Sequence, residues 1–163
     1  RGRVKIKNPE NFKLLKNFVI NNFGAPMTAQ SITQALNGAG VKISRATVSK
    51  YLQVLIDAKI LHECKQFDVK SKAAIVKEKK YYLADVSFYF SQNTDNRINY
   101  GPTLENIVYI YARGLGYSAS VGRIGKLECD FILRSLDNKY AYVQVAYTIL
   151  ESLETENREY RVL

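Results

Sequence analysis

The sequence predicts an α+β protein whose second half is a mixed α/β sheet domain, and the order of its segments indicates this. In the first half, three segments with apolar residues at helical spacing precede two strand-type segments. In the second half, one helical segment precedes three strand-type segments. We therefore expect two domains, residues 1–85 and 103–163, joined by a polar and aromatic linker or crossover at 86–102.

The distribution of charge follows the same division. Residues 1–80 carry 16 Lys and Arg against 5 Asp and Glu, a balance of +11, whereas residues 81–163 carry 8 against 10, a balance of −2. A local excess of this size indicates a polyanionic partner, because phosphate neutralisation dominates affinity for nucleic acids. The alternative is a solvated lysine-rich surface that serves solubility.

Three helices with tight joints are predicted in the first 57 residues. The first begins at Pro9 and ends at Gly24, and Thr28 and Ser44 are the expected N-caps of the second and third. Such an arrangement is typical of a helix-turn-helix protein. The apolar positions expected to face the core are Phe12, Leu15, Val19 and Phe23, then Ile32 and Leu36, then Val48, Tyr51, Leu52, Leu55 and Ile56.

The opposite face of the third helix carries side chains that can reach phosphates and base edges. They are Arg45, Ser49, Lys50 and Gln53. We therefore expect this helix to act as a recognition helix for double-stranded DNA. The alternative is a protein-docking module, in which the same cations would face an acidic partner surface.

Two strands at 60–69 and 79–85, joined by a loop at 70–79, are predicted to form a lysine-rich wing. The wing lysines could lie along a DNA backbone, although a hairpin that is charged only for solubility would have the same sequence. His62, at the start of the first wing strand, has no ligand pattern around it and is expected to be structural. The wing lysines are Lys70, Lys72, Lys77, Lys79 and Lys80.

The second half is predicted to begin with a helix capped by Thr103 and ended by Gly114 and Gly116. Strands are expected at 117–124, 127–135 and 139–147. Because side chains alternate along a strand, Asp130 and Gln144 should meet across adjacent strands. The expected faces are Leu104, Ile107, Val108, Tyr111 and Leu115 on the helix, Glu128, Asp130, Ile132 and Arg134 on the middle strand, and Tyr140, Tyr142, Gln144 and Ala146 on the last.

Several function classes find no support in the sequence. Cys64 and Cys129 form no Cys-x-x-Cys or other zinc pattern and are expected to be reduced, partly buried thiols. There is no long apolar run and no secretory signal, so we expect no membrane partner and a cytoplasmic location. There is no G-x-x-x-x-G-K-[ST] phosphate loop either. We therefore expect no cofactor for this chain taken alone.

Four motifs occur in the order "KKYYLAD", "LENIVY", "GKLECDF" and "YVQVAY". In this order they resemble the C-terminal region of a large group of prokaryotic AAA-type ATPases of unknown role, a region that begins with a winged helix. Glu105, Asp130 and Gln144-Val145-Ala146 resemble the core of the PD-(D/E)XK restriction-endonuclease-like fold. The resemblance implies a winged helix-turn-helix followed by a restriction-endonuclease-like domain, truncated at its C-terminus. It also implies a preceding ATPase domain, absent here, which would be a partner and would use ATP in the full-length chain.

The resemblance also implies a position for a nuclease site, at Glu105, Asp130 and Gln144. Glu105 and Asp130 would be the ligands of Mg²⁺, which prefers carboxylate oxygens. However, Gln144 stands where a second acid is usual and Ala146 where the Lys would stabilise the developing charge. Lys126 or Lys139 could substitute for it. We therefore expect a DNA-binding, non-catalytic C-terminal portion of an AAA-type ATPase. The alternatives are a metal-dependent DNA nuclease and a protein-interaction module that regulates the missing ATPase.

Overall fold

Five helices and a six-stranded mixed sheet make up the computed structural model of the chain, which describes residues 6–68, 73–92, 100–124 and 127–146. The predicted combination of helices and a mixed sheet is confirmed. The helices are α1 (Pro9–Asn21), α2 (Ala29–Gly38), α3 (Arg45–Asp57), α4 (Ser87–Phe90) and α5 (Tyr100–Gly114). The strands are β1 (Pro26–Met27), β2 (Leu61–Asp68), β3 (Ala73–Leu83), β4 (Ser118–Ile124), β5 (Leu127–Arg134) and β6 (Tyr140–Val143).

The three predicted helices of the first half are confirmed, and a side chain caps the start of each one. Asn8 Oδ1 accepts a hydrogen bond from the Asn11 N–H at 3.0 Å. Thr28 and Ser31 exchange hydrogen bonds in a capping box, each 2.9 Å long, and Ser44 caps α3. These bonds satisfy amides that have no partner within the helix, so they fix where each helix begins. The predicted apolar stripes consequently meet in one core, which includes Leu15, Val19, Ile32, Val48, Leu55 and Leu61.

β2 and β3 form the predicted antiparallel pair, but β3 begins earlier than we predicted. The loop was expected at 70–79, whereas β3 starts at Ala73. The reason is that residues 73–75 continue the ladder, with Ala74 opposite Phe67, after a register shift between Lys65 and Gln66. Short β1 adds to the outer edge of β3.

The sheet continues from one half of the chain into the other. β2 pairs in parallel with β4, with Gln66 opposite Val121 and Phe67 opposite Gly122. The strand order is β1-β3-β2-β4-β5-β6. The two halves therefore share one sheet, and their division into separate domains at 1–85 and 103–163 stays a prediction.

The segment predicted as a linker is partly helical. α4 lies within it, and Phe88 and Tyr89 pack against the core of the first half, with the Tyr89 ring 5.2 Å from that of Phe23. Residues 93–99 of the linker lie outside the described residues. α5 begins at Tyr100, so its predicted start at the Thr103 cap was wrong: Thr103 is a buried residue inside the helix.

The predicted buried face of α5 was wrong at three of its five residues, whereas Leu104 is half-buried and Val108 packs against the core between α5 and the sheet. Ile107, Tyr111 and Leu115 are 49%, 69% and 60% exposed. The buried residues are instead Thr103, Asn106, Tyr109 and Ala112.

Specific contacts with β3 select this other face. Tyr109 stacks on Tyr82 with ring centroids 4.5 Å apart. The Asn106 side chain accepts from the Leu83 N–H at 2.7 Å and donates to the Leu83 carbonyl at 3.0 Å. Because buried backbone groups must be hydrogen-bonded, a polar residue faces inward here.

A second core lies between α5 and the sheet and includes Cys64, Tyr82, Tyr109, Val121 and Phe131. Cys64 and Cys129 are both free and buried, in agreement with the predicted thiols.

β4 and β5 match their predicted positions to within one residue, but β6 ends at Val143 rather than at 147. No helix in the described ranges is long and apolar enough to cross a membrane.

A β-bulge in the β4–β5 pair overturns the predicted side-chain alternation along β5. Ser120 lies opposite Ile132, whereas Gly122 lies opposite Cys129, so β5 has an extra residue over this span. A Cβ on Gly122 would collide with both the Cys129 thiol and the Ile132 side chain, which therefore share its side of the sheet. Glu128 instead contacts Lys80 on the α5 side. The prediction that Glu128 and Ile132 point the same way was therefore wrong.

Candidate nucleic-acid interface and carboxylate cluster

The four side chains predicted to read DNA from α3 are all exposed, on the face opposite the buried stripe of that helix. They are Arg45, Ser49, Lys50 and Gln53. Gln53 donates a hydrogen bond from Nε2 to Asp57 Oδ1 at 2.9 Å, one turn further along the helix. The other three have solvent-facing polar groups at the start and middle of α3.

The structure divides these four residues between two cavities on either side of α3. Arg45, Ser49 and Gln53 line a cavity of about 330 Å³ between α3 and the β2–β3 hairpin, called here the hairpin groove. Lys50 lines a different cavity of about 360 Å³ between α1 and α3, called here the α1–α3 cavity. A ligand that contacts all four would therefore have to extend from one cavity to the other across the exposed face of α3.

The predicted wing lysines have different positions. Lys79 lines the hairpin groove, where its Nζ lies 2.9 Å from Glu63 Oε2, so a carboxylate already balances its charge. Lys70 and Lys72 lie outside the described residues, as does the side chain of Lys77. Among the wing lysines, Lys80 is on the other side of the sheet and does not reach the groove.

Lys80 is instead the centre of a buried carboxylate cluster beside α5. Its Nζ lies 3.2 Å from Glu105 Oε2 and 3.5 Å from Glu128 Oε1, and its side chain is only 9% exposed. The Tyr82 hydroxyl donates to the same Glu105 oxygen at 3.0 Å. A single ammonium therefore links an acid of α5 to an acid of β5.

The pKa shifts in this cluster follow from burial and charge. Burial alone would lower the pKa of the Lys80 ammonium, but the carboxylates of Glu105, Glu128 and Asp130 outweigh burial and hold that pKa above its usual value. Burial, and then the negative charge of Glu105, raises the pKa of the Tyr82 hydroxyl. Lys80 is thus charged and Tyr82 neutral at physiological pH, as their donation to Glu105 requires.

Asp130 and Gln144 meet across β5 and the chain that follows β6, as predicted. Gln144 Oε1 accepts the Asp130 N–H at 3.3 Å, and Asp130 Oδ2 accepts the Val145 N–H at 2.8 Å. The amide oxygen that could have served as a ligand is therefore engaged with the backbone. Ala146 is exposed and lies beyond the end of β6.

Glu105 and Asp130, the predicted metal ligands, both act on Lys80, but no three His, Cys, Asp or Glu side chains within the described ranges are placed to hold a metal ion. Of the two lysines expected to substitute for the missing cation, Lys126 lies outside the described residues. Lys139 pairs with Asp137 at 2.8 Å and is largely exposed. The cation near the acids is Lys80, which the sequence interpretation had assigned to the wing. Lys80 and Tyr82 are two residues apart on β3, so their side chains lie on the same side of the sheet. That spacing was the available sign in the sequence that Lys80 belongs with the acids.

Comparison with known proteins places the chain among uncharacterised relatives. An uncharacterised protein of Haemophilus influenzae is 34% identical over 156 residues, which are 95% of this chain and 39% of that protein. An uncharacterised protein of Methanocaldococcus jannaschii is 29% identical over 154 residues, 92% of this chain and 34% of that protein. The chain thus spans between a third and two fifths of the length of these relatives. No solved structure matches it significantly. Residues 3–97, more than half of the chain, match a domain of unknown function, DUF8612, and the chain belongs to that family.

Proposed function

We propose that this chain binds double-stranded DNA through α3 and the hairpin groove. The observation that carries the proposal is the row formed by Arg45, Ser49 and Gln53, spaced four residues apart along the exposed face of α3. Arg and Gln can each make paired hydrogen bonds to base edges in the major groove, which is wide enough to admit a helix. The +11 balance of residues 1–80 supplies the accompanying electrostatic attraction.

The arrangement of elements supports a winged helix-turn-helix as the finer description of the first half. Three helices precede an antiparallel hairpin, and β1, between α1 and α2, adds to the edge of that hairpin. α3 is the third helix and leaves one face exposed, which is the placement a recognition helix needs. We also propose that α5 and β4–β6 are part of a restriction-endonuclease-like domain.

The carboxylate cluster supports a non-catalytic role for that second part. Lys80 occupies the position between Glu105 and Glu128 that a cation would need, so the protein itself neutralises these acids. A divalent ion would have to displace a buried ammonium before binding there. Lys80 also provides one argument for the alternative, a Mg²⁺-dependent nuclease, because it could supply the positive charge that is missing at Ala146.

Because the relatives are much longer than this chain, we propose that it corresponds to one portion of a longer protein. From the order of the four motifs in this chain we further propose that the longer protein is an AAA-type ATPase, with the chain as its C-terminal portion and ATP bound by a separate domain. Protein docking is the remaining candidate function. The exposed apolar stripe of Ile107, Tyr111 and Leu115 on α5 favours it.

The DNA-binding proposal is tested with the double variant Arg45→Ala/Gln53→Ala in fluorescence anisotropy with duplexes of several sequences. We expect weaker binding and reduced discrimination between sequences, since each paired base contact contributes about 1 to 3 kcal/mol of discrimination. The matched control is Lys13→Ala/Asn17→Ala, which removes one cation and one amide from α1. Equal affinities for wild type and the groove variant would contradict the proposal and favour the protein-docking function.

The non-catalytic role is tested by incubating plasmid and linear DNA with the protein and Mg²⁺ or Mn²⁺. We expect near-background cleavage, because loss of one electrostatic contributor commonly lowers the rate about a hundred- to a thousand-fold. Cleavage that disappears in both Asp130→Ala and Lys80→Ala would instead establish the nuclease. Cleavage that persists in Asp130→Ala would indicate a contaminant.

A further inference from the structure

The α1–α3 cavity is lined by three lysines that come from three different parts of the chain. Lys7 precedes α1, Lys42 lies in the loop before α3, and Lys50 is in α3 itself. All three are exposed at the mouth of a cavity of about 360 Å³. Only Lys50 was expected to take part in DNA binding, so the convergence of the other two on it is a property of the fold.

Hydrogen bonds between distant residues hold the three segments in place. Asn11 Nδ2 donates to the Lys42 carbonyl at 3.1 Å, which ties α1 to the loop. The Tyr51 hydroxyl contacts the backbone of Asn8 on both sides, accepting from its N–H at 3.3 Å and donating to its carbonyl at 3.2 Å. The Phe12 ring packs edge-on against the Tyr51 ring at 5.2 Å. The lysines are therefore carried on a preorganised frame.

The cavity lacks a counterion of its own within the described part of the chain. The ion pairs there involve Lys79, Lys80 and Lys139, and none involves the three cavity lysines. Ser44 and Thr47 add hydroxyl groups to the lining. Three like charges around one space repel one another, so an anion with several acceptor oxygens would be stabilised there.

We infer that the α1–α3 cavity binds a phosphate of the DNA backbone, beside the base-reading residues of the hairpin groove on the exposed face of α3. This inference rests on the proposed DNA-binding function. A phosphate contact fixes the register and orientation of a protein on the duplex but does not depend on base sequence. The two cavities thus have separate roles: the α1–α3 cavity positions the protein on the duplex, and the hairpin groove recognises the base sequence.

The test is the double variant Lys7→Ala/Lys42→Ala, compared with Lys13→Ala/Lys16→Ala, which removes two α1 lysines that do not line the cavity. Binding to duplexes of several sequences is measured across a range of salt concentrations. One lost phosphate contact should lower the slope of log K against log salt by about 0.9, which corresponds to about eightfold weaker binding at about 0.1 M salt. The loss should be the same for every sequence.

The outcomes separate this inference from the proposed function. If wild type binds no duplex, DNA binding itself fails. If Arg45→Ala/Gln53→Ala weakens binding while Lys7→Ala/Lys42→Ala keeps the wild-type slope, DNA binding stands and the phosphate site is overturned. Equal losses in the cavity variant and its control would also overturn the site, because they would show a general effect of charge. Lys7→Gln/Lys42→Gln, with unchanged thermal unfolding, repeats the test without shortening the side chains to a methyl group.

Discussion

Lys79 and Lys80 show how strongly position determines what a lysine does. They are neighbours on β3 and point to opposite sides of the sheet, as alternation along a strand requires. Lys79 pairs with Glu63 where both side chains are partly exposed, and such pairs contribute little because water screens them. Lys80 is buried between Glu105 and Glu128, where an unpaired charge would be costly.

The first prediction follows from that difference. Glu105→Gln should lower the free energy of unfolding by about 1 to 3 kcal/mol, because it removes a charged hydrogen-bond partner from buried Lys80 and from Tyr82. The matched variant Glu63→Gln should cost less than about 1 kcal/mol. Urea unfolding of both variants measures the difference. Equal costs would show that the buried cluster contributes no more than the partly exposed pair.

A second prediction concerns alkaline pH. The pKa of Lys80 is raised in the folded state, so its charged form stabilises the fold below the unfolded pKa, and this stabilisation is lost as pH rises through the folded pKa. Glu105→Gln removes the carboxylate that contributes most to raising the pKa of Lys80. The variant should therefore start from a lower stability near neutral pH and lose less of it than wild type as pH rises, measured as thermal midpoints between about pH 9 and 12. Coincident alkaline profiles would exclude a role for Glu105 in holding the charge.

At the scale of single elements, α5 is the helix whose orientation the sequence left open. Tyr109 and Ala112 on one side, and Ile107 and Tyr111 on the other, are all compatible with burial. The structure buries the first side because Tyr109 stacks on Tyr82.

The third prediction uses this contrast. Tyr109→Ala should lower the free energy of unfolding by about 3 to 5 kcal/mol, since it removes a buried aromatic ring. Ile107→Ala should cost less than about 1 kcal/mol, because half of that side chain is in water. Chemical denaturation of the two variants measures this. A larger loss for Ile107→Ala would restore the orientation that we first predicted.

The elements that the sequence predicted well are those with a single apolar stripe and a side-chain cap. α1, α2 and α3 have both, so their bounds and faces followed from local spacing. No local sequence pattern predicted the bulge opposite Gly122. It depends on a contact between two strands, since the Cys129 and Ile132 side chains both occupy the space that a Cβ on Gly122 would fill. The role of Lys80 was missed for a similar reason: its partners lie 25 and more residues away, on elements whose faces had been assigned differently.

For the whole molecule, the shared sheet raises the question of whether the halves unfold together. β2 belongs to the first half and pairs with both β3 and β4, so it has neighbours in each half. Cys64 on β2 packs in the second core with Tyr109 and Phe131. Loss of the second half would therefore expose a buried thiol in the first.

The fourth prediction is that the chain unfolds as one unit. Cys64 and Cys129 lie in different halves, and burial raises the pKa of both thiols, that of Cys64 to about 12, so neither should react in the native state. Thiol labelling of Cys64→Ala and Cys129→Ala, each with one remaining thiol, is followed against urea. After correction for the stability of each variant, the midpoints should coincide. Well-separated midpoints would support independent domains at 1–85 and 103–163 instead.

The parallel pairing of β2 with β4 also sets an order of events during synthesis. Cys64 on β2 and Ala119 on β4 are 55 residues apart, so the whole β2–β3 hairpin is synthesised before its parallel neighbour. Until then the edge of β2 has unpaired backbone groups, and Lys80 has neither Glu105 nor Glu128 beside it. An open strand edge is where pairing with another chain competes with folding. We therefore expect the nascent chain to be most prone to aggregation in the interval between the synthesis of β3 and that of β5.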